Sequence, residues 1–148
     1  MRSKAPAAPY VAEPPAIYLA RPPIVIDCSV LVAILFDETL RATADQLVFG
    51  RSLHAPWLLD HEVASVADKK RRAGVAGAVI EAGIALYEEY DVTMHRTMPA
   101  EVLDLVSTYS LSAYDAAYLA VAAALRVPLV TFDHKLGKAA VRHLGALE

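Results

Sequence analysis

The chain has 148 residues, a formal net charge of −3 and a mean hydropathy of +0.36. This length predicts one domain with a real core, and the acidic balance argues against a broadly basic nucleic-acid binder unless some carboxylates hold a metal. No uninterrupted apolar run approaches the roughly 18 residues of a membrane span, and the start "MRSKAPAAPY" lacks the apolar stretch of a secretory signal. The single cysteine, Cys28, excludes an internal disulfide and a Cys-built zinc site and favours a reducing, cytoplasmic location.

The N-terminal segment, residues 1–23, holds six of the nine prolines and shows neither helical nor strand periodicity. We expect a flexible tail there and a single folded domain over residues 24–148.

Beyond the tail, short apolar runs alternate with helical patterns along the chain. The predicted strands cover residues 24–27, 53–56, 91–95 and 127–132. The predicted helices cover residues 29–36, 38–49, 57–72, 75–90, 99–109, 111–125 and 134–144. Strands separated by helices predict an α/β fold with a parallel sheet covered on both faces. Sites in such sheets form at the carboxyl ends of the strands.

Two acids follow predicted strands directly: Asp27 after "IVI" and Asp133 after "LVTF". Either residue alone can be an N-cap that starts the next helix, because Asp is favoured at that position. If the two strands are neighbours, the two carboxylates also meet at one edge of the sheet.

Two further acids lie on predicted helices. Glu62 shares an apolar stripe with Leu58 and Val66, so it is either paired, protonated or bound to a cation, or it extends to water from the edge of the stripe. Asp115 follows Ser112 with the spacing of a capping box, which explains a lone acid in "LSAYDAAYLAVAAAL" without any function but does not exclude a second role.

Taken together, the four acids can converge at one edge of the sheet. Clustered carboxylates repel one another and raise each other's pKa, and a hard divalent cation relieves that repulsion. Mg²⁺ or Mn²⁺ suits oxygen ligands and retained water better than zinc does. Metal-assisted hydrolysis of a phosphodiester is the chemistry that this pattern favours.

Four segments in order resemble the PIN domain, and specifically the VapC-type toxins of type II toxin–antitoxin pairs: "IVIDCSVLVAIL", "APWLLDHEVASV", "LSAYDAAYLAVA" and "LVTFDHKLGKAA". The resemblance implies a three-layer α/β/α fold around a central parallel sheet of four to five strands. It implies a metal-dependent ribonuclease that uses Mg²⁺ or Mn²⁺, with RNA as substrate and an antitoxin protein as partner. Carried over by position, the catalytic and metal-binding acids fall on Asp27, Glu62, Asp115 and Asp133.

The same resemblance places supporting hydroxyls at Ser29 and Thr131, and a strand would put Thr131 and Asp133 on one face. It requires no histidine as general base, and the five histidines are scattered in the sequence. Cys28 is expected in the core.

RNA contacts and protein partners are less sharply indicated. The basic run Lys69, Lys70, Arg71 and Arg72 either contacts phosphates or complements the dipole at a helix C-terminus. Tyr114 and Tyr118 either stack on a base or belong to the core. The apolar helices within residues 28–48 and 75–90 offer surfaces for a homodimer and for an antitoxin segment.

Three other functions remain open at this stage. A haloacid-dehalogenase-like phosphatase also begins with a strand and an Asp, but it would need a second Asp where Ser29 stands. A PIN fold can also serve in RNA processing or on DNA, or as a protein-interaction module without catalysis.

Overall fold

The computed structural model describes residues 21–147. Most of the expected tail therefore lies outside the described residues, and its flexibility stays a prediction. The first strand begins at Pro23, one residue before the expected domain boundary. Across the described residues, no helix is both long and apolar enough to cross a membrane.

Within residues 21–147 the chain forms four strands and seven helices, with two helices after each of the first three strands and one after the fourth. The strands are β1 (Pro23–Ile26), β2 (Ser52–Pro56), β3 (Val92–His95) and β4 (Leu129–Val130). The helices are α1 (Cys28–Leu35), α2 (Arg41–Val48), α3 (Leu59–Arg72), α4 (Gly77–Glu89), α5 (Pro99–Tyr109), α6 (Ala113–Leu125) and α7 (His134–Leu144).

The four strands form one fully parallel sheet in the order β3-β2-β1-β4. This arrangement confirms the predicted α/β class with a sheet of four to five strands. The chain first builds outward from β1 to β3 and then returns to place β4 on the other side of β1. The order of the strands therefore reverses at β1 and β4, and this switch point is where a site is expected, at the carboxyl ends of the strands.

The central strand β1 is buried on both faces. Successive side chains of a strand point to opposite faces, and Ile24, Val25 and Ile26 are all at most 2% exposed. Helix α6 packs across β1, β2 and β4, while α1 packs against α2, α3 and α4. The structure therefore has the predicted three layers, with the sheet between helices.

Several predicted elements are shorter than expected, and two of the differences lie next to the carboxyl edge of the sheet. The fourth strand has only two residues because its neighbour β1 ends at Ile26, which pairs with Val130, and Asp27 already caps the next helix. Helix α3 begins at Leu59 and not at Trp57, because the Trp57 amide still bonds the carbonyl of His95 at the end of β3 (3.1 Å).

Helix α1 does not provide the partner surface expected from its apolar sequence. Seven of its eight residues are buried within the chain. The helices α2, α3 and α4 pack around it, so its hydrophobicity serves the core and not an interface.

Candidate active site

Asp27 lies directly after β1 and is 6% exposed, the single charged or polar residue in the core of the described chain. Its Oδ2 atom accepts hydrogen bonds from Ser29 Oγ (2.6 Å), Thr131 Oγ1 (2.8 Å) and the Ser29 amide (3.3 Å). The bond from the Ser29 amide makes Asp27 the N-cap of α1. All these bonds fall on one oxygen, so within residues 21–147 the Oδ1 atom keeps its lone pairs for a ligand.

The two hydroxyls connect Asp27 to the end of β4. Ser29 Oγ accepts the amide N–H of Phe132 (3.0 Å), and Thr131 Oγ1 accepts that of Asp133 (2.9 Å). Each hydroxyl therefore accepts from the backbone and donates to the carboxylate, which orients its hydrogen. Asp133 is exposed, and its Oδ1 atom caps α7 by accepting from the Leu136 amide (2.7 Å).

Glu62 is half-buried on α3, and its Oε2 atom accepts a 2.5 Å hydrogen bond from the hydroxyl of Tyr118 on α6. Leu58 and Val66, the apolar neighbours predicted for Glu62, are partly buried against the core. The buried face of α3 carries Leu59, Val63 and Ala67. Glu62 lies beside that face and not within it, so its carboxylate reaches the cleft.

Asp115 lies in the first turn of α6, and Ser112 is the N-cap of that helix as predicted. Ser112 Oγ accepts the Asp115 amide (3.0 Å) and donates to the Asp115 carboxylate (2.7 Å). The cap therefore holds the acid and does not compete with a role in a site.

The four acids line one open cleft of about 490 Å³ at the carboxyl edge of the sheet: Asp27, Glu62, Asp115 and Asp133. Lys69 is the single Lys or Arg in the lining that the structure describes, and His61 also lines it. One cation for four carboxylates leaves the cleft with excess negative charge.

The electrostatics of the buried acids reflect this crowding. Burial raises the pKa of Asp27, hydrogen bonds from Ser29 and Thr131 offset part of the rise, and the charge of Asp115 adds to it. Burial likewise raises the pKa of Glu62, against the lowering effect of the Tyr118 hydroxyl, and the charges of Asp27 and Asp115 raise it further. A bound cation would lower both pKa values.

The donor set fits Mg²⁺ or Mn²⁺. Carboxylate oxygens are the ligands that hard divalent cations prefer. Within residues 21–147 no three His, Cys, Asp or Glu side chains stand close enough to enclose a metal on their own. Mg²⁺ commonly takes one or two carboxylates and retains several waters, so an open acidic cleft suits it better than it suits the closed cage of a structural zinc.

Comparison with known proteins identifies the fold. Residues 24–142 match the PIN domain. The chain belongs to the PIN-domain family. This PIN domain is 32% identical over 117 residues to VapC ribonuclease Mb0985 of Mycobacterium bovis and to ribonuclease VapC9 of Mycobacterium tuberculosis, and the match covers 76% of this chain and 87% of each relative. The match excludes the phosphatase alternative and confirms the resemblance to VapC proteins.

Solved structures agree on the PIN fold. The crystal structure of PAE2754 from Pyrobaculum aerophilum aligns with a TM-score of 0.63 at 24% identity and covers 85% of this chain and 97% of that one. Mycobacterium tuberculosis VapC20, a sarcin-ricin loop cleaving toxin, aligns with a TM-score of 0.58 at 15% identity and covers 78% of this chain and 94% of its own.

The basic run of the PIN domain is divided between the cleft and surface ion pairs. Lys69 lines the cleft. Lys70 pairs with Glu38 across 2.5 Å, and Arg71 and Arg72 both pair with Asp68. A role in RNA binding stays a prediction for all four basic residues, and the position of Lys69 favours it over the others.

The two tyrosines of α6 lie in different environments. Tyr118 is fully buried, as expected for a core residue, whereas Tyr114 is 65% exposed and lines the cleft. Cys28 is in the core as expected, and burial raises the pKa of its thiol to about 12, so it is not a reactive thiolate at neutral pH.

Sequence reasoning missed two polar contacts of the site region. Tyr118 was not recognised as a donor to Glu62, although it lies three residues after Asp115 and thus on the same side of α6. The histidines are not all scattered either: His54 Nδ1 and His95 Nε2 lie 2.9 Å apart on β2 and β3. No spacing rule predicts that pair, because it depends on strand order.

Proposed function

We propose that this PIN domain is a metal-dependent endoribonuclease and the toxin of a type II toxin–antitoxin pair. The observation that carries the proposal is the single cleft lined by four carboxylates at the switch point of the sheet. The similarity to proteins named VapC ribonucleases supports RNA as the substrate.

Hydrogen bonds orient the carboxylates of the cleft, and retained waters would complete the coordination of a metal, because no three of these acids in residues 21–147 stand close enough to enclose one. Ser29 and Thr131 orient Asp27 and leave its Oδ1 atom for a ligand. Tyr118 fixes one oxygen of Glu62. The helix cap at Ser112 holds the Asp115 side chain.

The four acids would hold Mg²⁺ or Mn²⁺, which supplies an activated water and offsets charge on the scissile phosphate. The chain's own contribution is to orient the carboxylates and to hold the RNA. Lys69 lies in the lining, where its ammonium group attracts a phosphate. We assign no general base to a histidine.

The proposed antitoxin and homodimer contacts need an exposed apolar surface. Leu40, Leu47 and Phe49 are exposed around α2, with Phe49 at 87%, and Val79 is exposed on α4. This set replaces α1 as the proposed partner surface. An RNA-cleaving toxin of this kind acts in the cytoplasm, which agrees with the reduced Cys28 expected there.

The test is cleavage of total RNA by the purified protein with Mg²⁺, with Mn²⁺ and with EDTA. We expect cleavage with either metal and a loss of at least about 100-fold in Asp27→Asn and Asp115→Asn, because each substitution removes a charged ligand. Asp91→Asn is the matched control: Asp91 is exposed and precedes β3, at the opposite end of the sheet. Equal cleavage by all four proteins would refute the assignment of the site.

The toxin assignment has a separate test in cells. Induced expression should arrest growth, the Asp27→Asn variant should not, and co-expression of the neighbouring gene product should restore growth. Cleavage without growth arrest would place the nuclease in RNA processing instead. Cleavage of single-stranded DNA in preference to RNA would change the substrate class.

A further inference from the structure

Beside the acidic cleft lies a second, smaller one of about 370 Å³, at the carboxyl ends of β2 and β3. Pro56, Trp57, Leu58, His95, Arg96 and Thr97 line it. Leu58 also lines the acidic cleft, so the two share a wall. Strand spacing of about 4.8 Å puts the end of β2 one strand from Asp27 and the end of β3 two strands away.

Trp57 is the conspicuous residue of this second cleft. It is 67% exposed, and it is the single tryptophan of the chain. Tryptophans are usually well buried, and exposed ones are enriched where a protein binds a partner or ligand. Its backbone is fixed, because its amide bonds the carbonyl of His95 (3.1 Å). The indole is therefore presented to solvent on a rigid strand end.

A positively charged residue lines the same cleft as the indole. Arg96 is exposed, and within the described residues it forms no ion pair, unlike the paired Lys70, Arg71 and Arg72. Neighbouring His95 is held by His54, whose ring in turn contacts Ser52 Oγ (3.2 Å). An aromatic face beside an unpaired guanidinium is the combination that binds single-stranded nucleic acid, by base stacking and phosphate contact.

We propose that this second cleft is a nucleotide-binding subsite of the nuclease, in which an unpaired base of the RNA stacks on Trp57 while Arg96 contacts a phosphate. Because the two clefts share a wall at Leu58, an RNA strand bound at this subsite can continue into the acidic cleft. Leu58 lies one helical turn before Glu62, whose amide bonds the Leu58 carbonyl (3.0 Å). The subsite thus positions the RNA relative to the acids. The inference rests on the proposed ribonuclease function.

The single tryptophan makes the test direct. Indole emission is recorded while a single-stranded RNA oligonucleotide is titrated into the full-length Asp27→Asn protein, so that no cleavage occurs during the measurement. We expect RNA to quench the emission and to protect the indole from iodide, because stacking covers the exposed ring. RNA that binds without changing the emission overturns the inference.

Affinities of further variants in the same background, measured with labelled RNA, complete the test. Trp57→Ala should weaken binding by about 5- to 150-fold, the range for stacking of one base, and Trp57→Phe by less. Arg96→Gln should reduce the slope of log affinity against log salt by about 0.7, the value for one phosphate contact on a single strand. Leu103→Ala is the control, since Leu103 is 63% exposed on α5 and lines neither cleft.

The outcomes separate this inference from the proposed function. If the wild-type protein cleaves RNA but Trp57→Ala binds RNA as tightly as the Asp27→Asn parent, the subsite is refuted and the nuclease stands. If the wild-type protein does not cleave RNA with either metal, the proposed function fails whatever the emission shows. An emission shift that depends on protein concentration and not on RNA overturns the inference and assigns Trp57 to a contact between copies.

Discussion

The buried hydroxyl of Tyr118 provides a direct test of how the site is assembled. Tyr118→Phe keeps the fully buried ring and removes the oxygen that donates to Glu62 across 2.5 Å. A hydrogen bond to a charged group contributes about 1.5–3 kcal/mol. Because Glu62 is half-buried beside an open cleft, water can replace the lost donor in part. We therefore expect a loss of about 1–2 kcal/mol in the free energy of unfolding, near the low end of that range.

For a domain of this size, that loss lowers the melting temperature by about 3–8 °C, which thermal denaturation without metal would measure. Tyr114→Phe is the matched control, because Tyr114 lies one turn earlier on α6 and is 65% exposed; its effect should stay within about 0.5 kcal/mol. In a Glu62→Gln background, Tyr118→Phe should cost less, since the acceptor is then neutral. An equal cost in both backgrounds would refute the reasoning, because the hydroxyl would then act through packing alone.

Three further predictions address the core, the titration of the site and the helix cap. Gly83→Ala should destabilise the fold by about 1–3 kcal/mol in urea denaturation, because the added Cβ would lie 2.5 Å from the Phe36 ring and 2.9 Å from a backbone carbonyl. Gly77→Ala, which meets nothing within 4 Å, should not destabilise it. Since burial raises the pKa of Asp27, the acid limb of the pH–rate profile should lie above the pH that an unperturbed Asp would give. More Mg²⁺ should move that limb to lower pH, because the proton and the cation compete for the same carboxylate. An acid limb whose position does not change with Mg²⁺ concentration would contradict this prediction. Ser112→Ala should lower the free energy of unfolding by about 1 kcal/mol through loss of the helix cap. Mg²⁺ binding, measured by calorimetry, should weaken in the same variant. An unchanged Mg²⁺ affinity would show that the cap does not hold the Asp115 carboxylate in place.

The raised pKa of Asp27 also bears on stability. Its folded pKa lies above its unfolded value, so ionisation of Asp27 costs the metal-free fold stability once the pH rises through the folded pKa. The cost is absent below the unfolded pKa. It is also removed when the acid is replaced by an amide, which can still accept from Ser29 and Thr131.

Much of this protein follows from local sequence. Alternation of apolar strands and helices predicts a parallel α/β sheet, because parallel strands need crossover helices and are buried on both faces. The helix caps also follow from local sequence. Asp27 and Asp133 come directly after strands, and Ser112 precedes Asp115 by three residues, so near neighbours in the chain were enough to predict Asp27, Ser112 and Asp133 as N-caps.

Contacts between distant segments depend on folding of the whole chain. No local pattern states that β4 returns to lie beside β1, yet that choice brings Thr131 onto Asp27, 104 residues earlier. The apolar sequence of α1 was interpreted as a partner surface, because the helices that cover it come later in the sequence. The sequence also did not show that the fully buried face of α3 carries Leu59, Val63 and Ala67, because the rotation of a helix is set by what it packs against. Periodicity reports that a helix has an apolar face, and packing against β-strands and neighbouring helices determines where that face points and which carboxylate it leaves at the cleft.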